Sequence, residues 1–164
     1  MLLYLIRHGE AEETTKPDAE RDLTQNGKEQ VEKLAAKITS TVEAPTLLLS
    51  SPFKRAVQTA EAFRDGWDIP LEIVDWLLPW SEPSQVLEEL KNLPQQSIAL
   101  VGHLPCLGLL LGTLVWGLPP KEVALPKAGV CCLSFQDWEP AAAKLKWLLS
   151  PDSMGKLWSN VFST

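Results

Sequence analysis

The chain has 164 residues, 45% hydrophobic and 22% charged, enough to bury one ordinary core and too few for two. Fifteen Lys and Arg against 21 Asp and Glu leave a net charge of −6 with no basic stripe, which argues against nucleic acid and anionic membrane as partners. Three cysteines, two of them adjacent at Cys131 and Cys132, build neither a disulfide framework nor a metal knuckle, so a reducing, cytoplasmic setting is expected.

Residues 2–6 (LLYLI) form an unbroken apolar run that reads as a buried strand, stopped by Arg7-His8-Gly9. No basic segment precedes it, and no apolar stretch approaches the roughly 20 residues that span a bilayer. Residues 9–22 are polar and carry Pro17, so a loop is expected. Thr24 is a good N-cap for a helix whose inner stripe is Val31, Leu34, Ala35 and Ile38. Residues 46–49 give a second strand. Ser50-Ser51-Pro52 then places serine at a helix cap and proline at the first helical position, with Ala56, Val57, Ala60 and Phe63 facing inward. Residues 71–74 are a third strand, residues 79–83 a loop, and Val86, Leu87 and Leu90 mark a third helix. Residues 97–101 form a fourth strand, halted by Gly102-His103, and Pro105 opens a fourth helix. Within that helix Gly108 and Gly112 make a flat face for another stretch of backbone, despite a propensity cost of about 1 kcal/mol each. Residues 129–135 and 144–149 close the chain as two more strands. Cys131-Cys132 falls in the first of these, with one thiol buried and neither reactive. The alternation implies a single α/β domain over residues 1–164, with a mostly parallel sheet of about six strands and helices on both faces.

In open α/β sheets, ligands bind beyond the carboxyl ends of the strands. Three of those ends here carry unusual cargo: Arg7-His8-Gly9-Glu10, Ser50 to Arg55, and Gly102-His103. His8 and His103 are the only two histidines in the chain. Arginine offers a planar fork of donors that fits phosphate oxygens. Arg55, in the first turn of its helix, adds to an end that already favours anions and leans back toward the strand ends. A neutral histidine whose second ring nitrogen is held can serve as a nucleophile. Two histidines and two arginines therefore suffice for phosphoryl transfer with no metal and no cofactor. A metal site built from His8, His103 and Glu10 is the alternative chemistry, but the H-x-H and H-E-x-x-H spacings are absent.

Residues 5–11 (LIRHGEA) resemble the opening of the histidine phosphatase superfamily, also called phosphoglycerate-mutase-like. Residues 23–27 (LTQNG), 50–60 (SSPFKRAVQTA) and 101–105 (VGHLP) are similar to its later elements, in the same order. The short chain and the G-H-L-P ending look most like bacterial phosphohistidine phosphatases that act on histidine phosphotransfer domains. That resemblance implies that His8 becomes phosphorylated while Arg7, Arg55 and His103 bind the phosphoryl group. Ser50 would hydrogen-bond near His8 and join in substrate binding.

Many superfamily members also carry an acidic residue that protonates the leaving group, and Glu82 is the one carboxylate placed by sequence order to do so. A departing imidazole, with a conjugate-acid pKa of about 6.5, needs less help than an alkoxide. The weak context of Glu82 thus favours phosphohistidine as substrate. The expected partner is a phosphorylated protein or small phosphorylated substrate with inorganic phosphate as product, and a monomer is expected. The alternatives are a small-molecule phosphomonoesterase and a phospho-group binding module without turnover. Glu10, Lys54 and Ser51 read as loop, solvated and capping residues. Trp76 and Trp80, on the loop side, are candidates for partner contact.

Overall fold

A computed structural model describes residues 1–153; residues 154–164 of the expected domain lie outside the described residues. Among the described residues six strands form one sheet in the order β3-β2-β4-β1-β5-β6. They are β1 (Leu2–Arg7), β2 (Leu47–Ser50), β3 (Leu71–Ile73), β4 (Ser97–Gly102), β5 (Val130–Ser134) and β6 (Lys144–Leu149). The first four run parallel to one another. The β5 strand returns antiparallel to β1, and β6 pairs antiparallel with β5. The α-helices of the described residues alternate with the parallel strands: α1 (Gln25–Thr39), α2 (Lys54–Trp67), α3 (Pro83–Lys91) and α4 (Cys106–Trp116). Among the described residues no helix is long and apolar enough to cross a membrane.

The continuous apolar character of the central strands follows from burial on both faces. Leu3, Leu5, Leu47, Leu49, Ile98 and Leu100 pack on one side with Val86, Leu87 and Leu90 of α3 and Leu107, Leu110 and Leu111 of α4. The alternate residues Tyr4, Ile6, Leu48, Ala99 and Val101 meet Leu34 and Ile38 of α1 and Ala56, Ala60 and Phe63 of α2. Cys131 and Cys132 divide in the same way, one to each layer, and both are buried rather than one. Burial pushes their thiols up to about 12 and about 11.

Thr24 caps α1 as expected, its side chain accepting from Gly27 N. The start of α2 differs. Ser50 completes β2, the helix begins at Lys54, and the N-cap is Phe53, so neither a serine cap nor a first-turn Pro52 occurs. The strand runs one residue further than its apolar letters because Ser50 stays in register with Val101. Val57, expected on the inner face of α2, is only partly buried. The β3 strand at the sheet edge leaves Glu72 and Ile73 exposed. The flat face of α4 is real: a Cβ on Gly108 would stand 2.6 Å from Val123 O, and one on Gly112 would collide with Lys121 O. Residues 121–123 thus lie directly on the helix backbone and lead the chain back to the start of β5.

Candidate active site

The central strands β2, β4 and β1 end level with one another. Arg7 pairs with Gly102, and Ser50 with Val101. Past the ladder the chain stays stitched: His8 N donates to Gly102 O at 3.1 Å, and Ser51 N to Val101 O at 3.0 Å. The antiparallel β5 begins at the same rim, where Arg7 N donates to Gly129 O and Ala128 N to His8 O. One edge of the sheet therefore presents Arg7, His8, Ser51 and His103, and the first turn of α2 adds Arg55.

His8 is buried, with 9% of its surface exposed. Its Nδ1 lies 2.7 Å from Gly9 O. A carbonyl can only accept, so Nδ1 carries the hydrogen of the neutral ring and Nε2 carries the lone pair. Arg55 Nε donates to that Nε2 at 3.3 Å. Burial chiefly, with the charges of Arg55, Arg7 and Lys127, lowers the pKa of His8 from 6.5 to about 4, against the opposing pull of Gly9 O. His103 is almost fully enclosed, its ring 5.0 Å from that of His8 and 5.1 Å from Phe53. Burial, then His8 and Arg55, pushes its pKa down to about 3. Both rings are neutral at pH 7.

Each of these groups is held by a residue to which the sequence assigns no part in the site. Gly9 O fixes His8. Ser51 Oγ meets His103 Nε2 at 2.8 Å and also accepts from Phe53 N. Leu125 O accepts from an Arg7 terminal nitrogen at 2.7 Å. Asp18, in a short 3₁₀ turn at Asp18–Glu20, accepts twice from Arg55, through its main-chain oxygen at 2.6 Å and its carboxylate at 3.0 Å. Thr59 ties helix to strand end, its hydroxyl accepting from Gly9 N and donating to Arg55 O. Arg7 Nε and His103 Nδ1 are buried with no hydrogen-bonding partner among the described residues. Such groups cost ~1–3 kcal/mol each when left unsatisfied, and the oxygens of a bound oxyanion would satisfy them.

Ser50 is elsewhere. Both serines are fully buried; Ser50 spends its hydroxyl on Ser51 O, and it is the Ser51 hydroxyl that meets a ring of the site. Glu82 is exposed at the N-cap of α3 and makes no side-chain hydrogen bond or ion pair among the described residues. Glu10 turns its carboxylate to Asn26 and Thr24, away from a shared ligand set with the histidines. Among the described residues no three His, Cys, Asp or Glu side chains are grouped to hold a metal ion. Lys54 is exposed and pairs with Asp22 at 2.8 Å. Trp76 is partly buried against the core, whereas Trp80 is 67% exposed and rests edge-on against Phe53.

The sequence model of the histidine phosphatase superfamily (branch 1) matches residues 3–81. The phosphohistidine phosphatase SixA of Escherichia coli (strain K12) is 31% identical over 156 residues, covering 92% of this chain and 94% of that protein. The SixA homolog of Haemophilus influenzae is 29% identical over 129 residues, 70% of this chain and 77% of its own. Among solved structures, the protein histidine phosphatase SixA complexed with tungstate superposes with a TM-score of 0.83 at 26% identity, over 94% of this chain and 99% of that one. The likeness runs through nearly the whole fold as well as the motifs at its rim, and on it this chain belongs to the histidine phosphatase superfamily and is a phosphatase.

Proposed function

We propose that the chain removes the phosphoryl group from a phosphorylated protein histidine, such as that of a histidine phosphotransfer domain, through a phosphohistidine intermediate on His8. The observation that carries this reading is the His8 ring itself, buried, neutral, and locked by Gly9 O with its Nε2 lone pair toward Arg55. The Nε2–P bond forms as the substrate's N–P bond breaks, and the substrate imidazole leaves neutral when its far nitrogen is protonated. Because Nδ1 keeps its hydrogen, the intermediate is a phosphoimidazolium, a good leaving group when water attacks phosphorus in the second step. Arg7, Arg55 and His103 stabilise the equatorial oxygens.

The carboxylates favour a nitrogen leaving group over an alkoxide. Glu82 makes no side-chain hydrogen bond or ion pair with a group of the site among the described residues, and Asp18 carries no proton to give at pH 7. Burial alone would raise the Asp18 pKa, but hydrogen bonds from Arg21 and Arg55 outweigh it and hold the group below its ordinary value. The relatives fit: the E. coli protein is named a phosphohistidine phosphatase, and the SixA structure is a complex with tungstate, an oxyanion.

The test is brief incubation with a labelled phosphorylated histidine phosphotransfer domain, read on an alkaline gel. Release of label that disappears in His8→Ala supports the reading. Label bound but not released would make the chain a binding module, and faster hydrolysis of phosphoserine peptides or sugar phosphates would make it an esterase. Excess chelator in one lane addresses the metal alternative.

A further inference from the structure

Arg55 has five N–H hydrogens, and three are already in use: one on His8 Nε2, one on Asp18 O and one on the Asp18 carboxylate. The carboxylate is divided between two arginines. Its Oδ2 takes Arg55 NH2 at 3.0 Å, and its Oδ1 takes Arg21 NH1 at 2.9 Å. The two ends of this bridge differ in burial, the Arg55 side chain being 6% exposed and that of Asp18 54%. An anion of the protein's own thus stands on the guanidinium that the proposed mechanism needs for the phosphoryl oxygens.

Two consequences follow from geometry. His8 Nε2 cannot attack phosphorus while its lone pair accepts from Arg55 Nε, so a bound phosphoryl group must take over that donor. Asp18 can release Arg55 without losing all support, because Oδ1 remains on Arg21. No residue of its turn is buried, and a surface hollow of about 450 Å³ borders it, lined also by Glu13, Thr14, Lys16 and Arg21. The carboxylate has somewhere to go.

We propose that Asp18 is a built-in counter-ion that competes with phosphoryl oxygens for Arg55 and so sets the affinity of the site for oxyanions. The competition acts on every phosphoryl group, but it is offset only for one delivered by a larger body with contacts of its own. Free inorganic phosphate has none. Asp18 therefore keeps the product weakly held and leaves the site open to a protein-borne substrate. This inference rests on the assignment of Arg55 as a phosphoryl ligand.

The experiment is direct titration of orthophosphate and of tungstate into wild type, Asp18→Asn, Asp18→Ala and Arg55→Ala by calorimetry at pH 7. Product inhibition by phosphate is measured in parallel with the phosphorylated domain as substrate. Asp18→Asn keeps an acceptor and loses the charge. It is expected to bind both oxyanions about tenfold tighter, as removal of a charge a few ångströms from the ligand predicts, with product inhibition strengthened to match. Asp18→Ala should move the same way, and melting curves like that of wild type confirm the fold of each variant. Binding that is unchanged or weaker in both folded Asp18 variants overturns the proposal, since a residue that merely positions Arg55 would weaken the site. Oxyanion binding that survives Arg55→Ala instead removes the phosphoryl assignment beneath it, and the two failures are told apart in one set of titrations.

Discussion

Acidification is the perturbation that most directly probes the buried histidine pair. Burial holds His8 near 4 and His103 near 3, whereas an unfolded histidine titrates at about 6.5. Between pH 6.5 and 4 the unfolded chain binds protons that the folded chain refuses, so stability is fully present above pH 6.5 and is lost as pH falls through this window. At ~1.4 kcal/mol per pH unit, going from pH 6.5 to 5 costs about 2 kcal/mol for each ring. Two rings thus account for about 4 kcal/mol, a large part of the ~5–15 kcal/mol that holds an ordinary domain together. Activity should behave oppositely. At pH 5 an ordinary histidine is roughly 3% neutral, and one with a pKa near 4 is roughly 90% neutral. The enzyme is therefore expected to keep a competent nucleophile in acid while its fold weakens. With only two histidines in the chain, their ring C–H resonances give two titration curves, assigned with His8→Asn and His103→Asn, and urea midpoints at pH 7 and 5 supply the stability. Either resonance titrating near 6.5, or a midpoint that does not move between the two pH values, would refute the reasoning.

Three further outcomes are expected. Ser51→Ala leaves His103 Nε2 without its partner; kcat/KM should fall about tenfold and stability by ~1–3 kcal/mol, and an unchanged kcat/KM would show that Ser51 does not orient the ring. Glu82→Gln should keep turnover of a phosphohistidine substrate within about twofold, and a loss beyond tenfold would restore Glu82 as a general acid. Gly112→Ala reverses the usual sign: the change gains about 1 kcal/mol in an unobstructed helix, but here the new Cβ meets Lys121 O, so the melting temperature should drop by about 5 °C instead of rising.

The layers of the fold are legible because two-sided burial leaves long apolar runs and one-sided burial leaves helical stripes, and residues 2–6 and 31–38 show each without ambiguity. The rim is legible for a related reason: Arg7, His8 and His103 stand where those runs stop. Ser50 and Ser51 show the limit. Adjacent serines at the end of a strand differ only in which side of the pleat they take. That parity depends on a register with β4 that the letters do not carry, so the inner serine was given the site and the outer one holds His103. Leu125 contributes a carbonyl, which every residue possesses, and nothing in its side chain marks it. Asp18 comes from a polar loop with no periodicity, and nothing in the letters separates it from Glu12, Glu13, Glu20 and Asp22 of the same stretch. Cys131 and Cys132 went half right, because burial of the second thiol depends on helices covering both faces of β5.

The ladder at the rim has a metric consequence. Neighbouring strands stand about 4.8 Å apart, and the rings of His8 and His103, carried just past the ends of the paired β1 and β4, are 5.0 Å apart. The spacing of the two rings thus starts from the backbone ladder, while Gly9 O and Ser51 Oγ fix how each ring is turned. Core residues can be exchanged widely so long as the strands stay in step. A slip of one residue between β1 and β4 would displace one ring by about 3.3 Å and turn it to the opposite face of the sheet. Such a protein would keep its strands and its two histidines and would no longer hold their rings side by side.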